Sequence, residues 1–228
     1  MVLSDLQIAD LEKRVSEGDV EALVELGKHY EQSGDSELAF DYYFKAAKKG
    51  NAESQFVLGV IYSEGSSVLR DEEEAFFWWL KSANKGNYQA MYNIGVCYYN
   101  GSGTDKDCTE AVRWFEKAAI AGHRIAKYMT AKEYYNGTNV SRDFSKAAEY
   151  MSKSAKEGVV NAQLDYALIC CTGQGLEKAD PILGFAWATC ADNNGDKRAK
   201  KIIAGIKSTY KLTVRELKQA REIAKELG

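Results

Sequence analysis

The sequence predicts an all-α fold, a solenoid of stacked antiparallel helix pairs, and three observations predict it. Glycine recurs on a 36-residue ladder at Gly50, Gly86, Gly122 and Gly158, with Gly18 placed 32 residues before it and Gly195 placed 37 after. Ala39, Ala75, Ala111 and Ala147 keep the same period, as do Gly65, Gly101, Gly137 and Gly173. Tyr30, Tyr62, Tyr98 and Tyr134, with Gly27, Gly59 and Gly95, add two further ladders. A fixed period of this length marks a repeat architecture, in which one supersecondary unit cannot bury its apolar face alone and must stack.

Each unit reads as two helices. The first carries an apolar stripe, as in 54–62 or 90–98, and ends at a glycine such as Gly65 or Gly101. The second opens at Asp71, Asp107, Asp143 or Asp180, whose carboxylate accepts from free N–H groups of the first turn. Asp71 with Glu74, and Asp107 with Glu110, have the spacing of a capping box. The only proline, Pro181, follows Asp180, where its missing N–H costs nothing.

Second helices carry an aromatic three residues after the ladder alanine, at Tyr42, Trp78, Trp114 and Tyr150, with Trp187 in the fifth unit. Small pairs follow at Ala46-Ala47, Ser82-Ala83, Ala118-Ala119 and Ser154-Ala155. The aromatic is expected to fill the gap between layers while the small pair lets the next helix approach. Burying one such ring contributes roughly 4–6 kcal/mol before entropy is subtracted.

The ends predict caps. Residues 3–18 form an amphipathic lead helix, repeats occupy 19–50, 51–86, 87–122, 123–158 and 159–195, and residues 196–228 close the single domain of residues 1–228. In the last segment Thr213 and Glu216 have capping-box spacing before a final amphipathic helix.

The 228 residues are 45% apolar and 28% charged, with a net charge of −3. No apolar run reaches the length of a membrane span, and the mixed charges of the first 19 residues argue against a leader. Five unevenly spaced cysteines favour free thiols and a reducing, cytoplasmic setting. The balance is −10 over residues 1–75, zero over 76–196 and +7 over 197–228, a polarity that can orient an encounter or favour head-to-tail contacts. The protein is expected to be a monomer or to self-associate weakly.

Candidates for chemistry are few. His29 and His123 lie in different units without a His or Cys at metal-ligand spacing, so no metal, cofactor or catalytic residue is expected. Cys170 and Cys171, with Cys190 on the next helix, read as small core residues, with a redox or metal role as the alternative. The run Asp71 to Glu74 suits a helix start. The Gly101-Ser-Gly103 and Gly173-Gln-Gly175 loops lack the strand and the Gly-Lys-Ser/Thr of a phosphate loop. Lysines spread over the last segment favour solubility over nucleic-acid or membrane binding.

The third unit carries Ala90, Ile94, Gly95, Tyr98, Gly101, Gly103, Asp107, Ala111, Trp114, Ala118, Ala119 and Gly122. In this order they resemble the Sel-1-like repeat, a longer-looped relative of the tetratricopeptide repeat. The resemblance covers residues 18–199, departing at Ala131 and Ala167 for the ladder glycine, at Cys170 for the ladder tyrosine, and by one extra loop residue in the fifth unit.

The resemblance implies a right-handed solenoid whose first helices line a concave groove. Positions −6, −3, +1, +4 and +5 from the ladder glycine would face it. They select Glu21, Val24, Lys28, Glu31 and Gln32, then Glu53, Phe56, Val60, Ser63 and Glu64, then Gln89, Tyr92, Val96, Tyr99 and Asn100. The last two units give Ile125, Tyr128, Lys132, Tyr135 and Asn136, and Asn161, Leu164, Leu168, Cys171 and Thr172. Phe56, Tyr92, Tyr99, Asn100, Tyr128, Lys132, Tyr135 and Asn136 are the candidate contacts for a protein or peptide, because Tyr and Asn combine contact area with hydrogen bonding. Tyr92 and Tyr128 also suit packing between helices.

Non-enzymatic adaptor or scaffold work is the function the resemblance implies. A cytoplasmic immunity protein or inhibitor of a toxin or enzyme is the alternative within the binding class. A hydrolase-like activity, as ascribed to cysteine-rich relatives, is the alternative outside it, although no nucleophile–base pair is visible.

Overall fold

The structure is a computed structural model that describes residues 3–227; Met1, Val2 and Gly228, which the expected domain and its closing segment include, lie outside the described residues. Thirteen α-helices and no strand occur among the described residues. They are α1 (Asp5–Ser16), α2 (Val20–Ser33), α3 (Ser36–Lys48), α4 (Ala52–Glu64), α5 (Glu72–Ala83), α6 (Tyr88–Asn100), α7 (Cys108–Ile120), α8 (Arg124–Asn136), α9 (Phe144–Lys156), α10 (Val160–Thr172), α11 (Pro181–Asn193), α12 (Lys197–Tyr210) and α13 (Val214–Leu227). The helices fall into two compact units, divided after Lys117 inside α7.

In the first unit each helix from α1 to α5 packs on the next in sequence, and α6 packs on α5. In the second, α8 pairs with α9, α9 with α10, and α10 with α11, while α12 and α13 both lie on α11.

The helix ends follow the ladders. Gly65, Gly101, Gly137 and Gly173 terminate first helices in the left-handed region, at φ 71°, 79°, 67° and 74°, where only glycine is free of strain. Asn51, Asn87 and His123, again 36 apart, cap the starts of α4, α6 and α8, each side chain accepting the N–H three residues on.

Asp71, Asp107, Asp143 and Asp180 cap the second helices as expected. Of the three capping boxes expected, however, only that of Thr213 and Glu216 is completed. At Asp71 and Asp107 the N–H that Glu74 or Glu110 was to bind instead donates to the carbonyls of Tyr62 and Tyr98, both at 2.9 Å. Asp143 and Asp180 make the same bond to Tyr134 at 2.9 Å and Cys170 at 2.7 Å. A main-chain acceptor already in place leaves the glutamates nothing to satisfy. Glu110 turns to Arg113, 3.0 Å away.

Trp78, Trp114 and Trp187 are buried among residues of the preceding repeat, filling the gap between layers as expected, whereas the close contact within a helix pair belongs to the neighbouring residue. It is Tyr43, Trp79 and Phe115, next to the ladder aromatics, that lie on Gly27, Gly59 and Gly95, where a Cβ would come within 2.8, 2.3 and 2.6 Å of the rings. The ladder rings meet other aromatics: Tyr42 stacks on Tyr30 with centroids 5.5 Å apart, Tyr150 on Tyr134 at 6.5 Å, and Trp78 meets Phe44 edge-on at 5.9 Å. The departures of the fourth and fifth units then have a cause. Where Ala131 and Ala167 replace the glycine, the ring's place in sequence is taken by Met151 and Ala188.

The small pairs do more than make room. Ser82 Oγ donates to the carbonyl of Ala52 at 2.6 Å, and Ser154 Oγ to that of Arg124 at 2.8 Å, tying each second helix to the start of its own first helix. From the next helix, the buried Gln55 and Gln163 amides reach back to Ala47 and Ala155.

Candidate binding face

Residues at the selected offsets of neighbouring repeats touch within each unit, which places them on one face. In the first unit Lys28 pairs with Glu53 at 2.8 Å. In the second, Lys132 and Tyr135 on α8 and Leu168 on α10 line one cavity. Three selected residues turn inward instead: Val24, Leu164 and Cys171 are buried in the core. These helices are apolar around much of their circumference, so a fixed offset does not separate groove from core.

The candidate contacts of the first unit divide. Phe56 is half-buried against the cluster built on Trp79 and Ile94. Tyr92 lies against Phe115 with centroids 5.7 Å apart, and burial raises its phenol pKa. Both rings serve packing. Tyr99 is 37% exposed, with Lys106 Nζ 6.0 Å from its ring centroid, and Asn100 beside it is exposed. Ser63, Asn93 and Val96 line a cavity of ≈ 170 Å³ with Trp79, Cys97 and the Arg70–Glu72 ion pair.

The second unit brings its candidates together through a residue the offsets omit. Asp165 on α10 accepts from the Tyr128 hydroxyl at 3.2 Å and pairs with Lys132 at 3.5 Å. Burial, then the adjacent Asp165 carboxylate, pushes the Tyr128 phenol up to about 12, so it stays a donor at neutral pH. Tyr135 donates to Gln174 at 2.5 Å and meets Phe144 edge-on. Asn136 exposes its side chain while its carbonyl accepts from Arg142. Lys132, Tyr135, Asp165 and Leu168 rim a cavity of ≈ 100 Å³ floored by Met151 and Ile169. Asp165 sits two residues before Ala167 and Gln174 inside a loop, so neither shares a repeat offset with Tyr128.

The groups weighed for chemistry have structural partners. His29 is buried and accepts the N–H of Leu3 at 3.2 Å, and His123 is a helix cap. Cys97, Cys170, Cys171 and Cys190 are buried, and burial raises every one of these thiols, to about 11, 12 and 11 for the first three. They are not thiolates at neutral pH. A Cβ on Gly103 or Gly175 would meet the carbonyl oxygen of Glu72 or Phe144 at 2.0 or 1.9 Å, so these loops pack on acceptors and do not cradle an anion. Among the described residues no group of three His, Cys, Asp or Glu side chains is placed to hold a metal, and no helix is long and apolar enough to cross a membrane.

Helix pairs in tandem, with glycine-seated rings and side chains of adjacent first helices meeting on one face, define an all-α helical-repeat protein. The Sel1 repeat matches residues 20–51, 52–87, 89–123, 124–159 and 160–196, and the chain belongs to the Sel1 repeat family. The fold is similar to that of c5321, a protective antigen of uropathogenic Escherichia coli displaying an SLR fold, at 27% identity and a TM-score of 0.81. That match covers 96% of this chain and 48% of the antigen. It is also similar to a Sel1 repeat protein from Oxalobacter formigenes, at 28% identity and a TM-score of 0.78, covering 87% of this chain and 59% of the other. The chain thus spans roughly half the length of these solved relatives. No curated protein matches it. Sel1 repeat proteins typically mediate protein–protein interactions, and the family is generally a non-catalytic scaffold.

Proposed function

We propose that this protein is a non-enzymatic adaptor that binds a partner protein or peptide on the faces of its first helices. Tyr99 and Asn100 would make contact in the first unit, and Tyr128, Lys132, Tyr135 and Asn136 in the second. The observation that carries the reading is the network in which Asp165 holds Tyr128 and Lys132, while Gln174 holds Tyr135. Side chains fixed before binding lose less entropy on binding, which is how a modest patch gains affinity. The reading includes a reducing, cytoplasmic setting, supported by four thiols inside the core.

The test is affinity purification with mass spectrometry, comparing the wild type with the Tyr99→Ala/Tyr135→Ala double variant. The expected result is loss of the co-purifying partner with helicity unchanged by circular dichroism. A partner retained by the folded double variant overturns the reading. A partner whose enzymatic or toxic activity is blocked in the complex assigns the same face to an inhibitor.

A further inference from the structure

Two helix faces carry uncovered charge of opposite sign, each beside an uncovered apolar side chain. Helix α1 packs on α2 through Ile8, Leu11 and Val15. Its other side exposes Leu6, at 82%, and Ala9, among the exposed carboxylates of Asp5, Asp10 and Glu12, which outnumber the one exposed cation there, Lys13. None of those carboxylates belongs to an ion pair among the described residues, whereas Arg14 on the same helix is engaged by Asp19 at 2.7 Å. Helix α13 packs on α11 through Leu217, Ala220 and Ala224. Its outer side exposes Val214, at 86%, with Arg215, Lys218 and Arg221, none of them in an ion pair among the described residues.

Each face supplies what the other lacks. A helix of about 12–14 residues is only about 20 Å long, so helix-on-helix contact falls in the small, weak class of interfaces. In that class charge decides whether two faces dwell together, and the stems of Lys and Arg can cover a leucine while their heads meet carboxylates. We propose that α1 of one copy docks on α13 of a second copy, a heterologous contact between acidic and basic faces. Because the two surfaces differ, the contact is heterologous, and each copy carries both halves of it. This proposal stands apart from the partner face on the first helices, since it uses none of the residues there.

The experiment is sedimentation velocity at low and high salt on three proteins: the wild type, Asp5→Lys/Asp10→Lys/Glu12→Lys on α1, and Arg215→Glu/Lys218→Glu/Arg221→Glu on α13. The wild type is expected to associate with rising concentration in about 20 mM salt and to dissociate in about 500 mM, where the Debye length falls below about 5 Å. Each variant alone is expected to associate at least about tenfold more weakly, because its two faces then carry the same sign. An equimolar mixture of the two variants restores association, since the reversed α1 of one meets the reversed α13 of the other. A wild type that stays monomeric in low salt overturns the proposal and leaves the basic face to an anionic occupant of another kind. Association that survives either reversal, or a mixture that fails to restore it, also overturns the proposal.

Discussion

The indole of Trp79 lies on the backbone of Gly59 so closely that a Cβ there would fall 2.3 Å from the ring. In an open helix, Gly→Ala stabilises by about 1 kcal/mol, so the sign of the effect is informative. Gly59→Ala is expected to destabilise by about 1–3 kcal/mol through overpacking. Adding Trp79→Met, the residue that stands in the ring's place where the ladder glycine is Ala131, is expected to recover part of the loss. Urea denaturation of the two single variants and the double variant gives the coupling, expected at about 1–2 kcal/mol. Additivity would mean that ring and glycine do not act as a pair.

His123 caps α8 through a ring nitrogen that accepts the N–H of Ala126 at 3.0 Å, which only the unprotonated imidazole can do. Its pKa is lowered by burial first, then by Arg124 and Lys127. The folded state then binds fewer protons than the unfolded one, and stability rises with pH. The contribution is complete above the unfolded value of about 6.5 and is lost as pH falls below it. His123→Asn keeps a cap at every pH. Between about pH 7.5 and 5, the wild type is expected to lose roughly 0.5–1.5 kcal/mol more than this variant, read from denaturation midpoints.

Lys127 takes the place that Gln55, Met91 and Gln163 occupy in other repeats, and it is buried with its ammonium on the carboxylate of Glu157. The two partners should respond unequally to substitution. Lys127→Met leaves a half-exposed carboxylate that water can solvate, and its effect is expected to stay within about 1 kcal/mol. Glu157→Gln leaves a buried ammonium without its counter-charge and is expected to cost about 1–2 kcal/mol. Equal costs in thermal melts would contradict this asymmetry.

Thiol labelling separates Cys108 from the rest. Cys108 is half-buried, whereas Cys97, Cys170, Cys171 and Cys190 are buried with raised pKa values. In the native protein at neutral pH, iodoacetamide is expected to modify Cys108 first, and the other four only after unfolding. Rapid native labelling of Cys170 or Cys171, followed by peptide mass spectrometry, would reopen a redox role for that pair.

Helix existence and most helix ends were legible in the sequence because glycine and aspartate each do one local thing at a helix terminus, and a ladder repeats it. What escaped was relational. Tyr62 and Asp71 are joined through main-chain atoms, which no side-chain pattern reveals. The rings seated on glycine lie one residue from the most regular aromatics, and only the pairing of Gly59 with Trp79 and of Ala131 with Met151 hints at it. On the candidate face, Tyr128 and Tyr135 follow from their offsets, yet the residues that orient them, Asp165 and Gln174, come from a different repeat. A one-dimensional period does not say which neighbours cross from one repeat to the next.

The bonds from Asp71, Asp107, Asp143 and Asp180 to the carbonyls of residues 62, 98, 134 and 170 close each loop at its base. Both partners are peptide groups, so the closure survives when Cys170 stands in for tyrosine, and it tolerates the extra residue carried by the fifth unit. Between the anchors, Gly103 and Gly175 tie their loops down a second time, against the main chain of Glu72 and Phe144. At the exposed loop positions, among them Leu69, Asp105 and Glu177, length and composition can change without disturbing the stack, which leaves room there for new specificity.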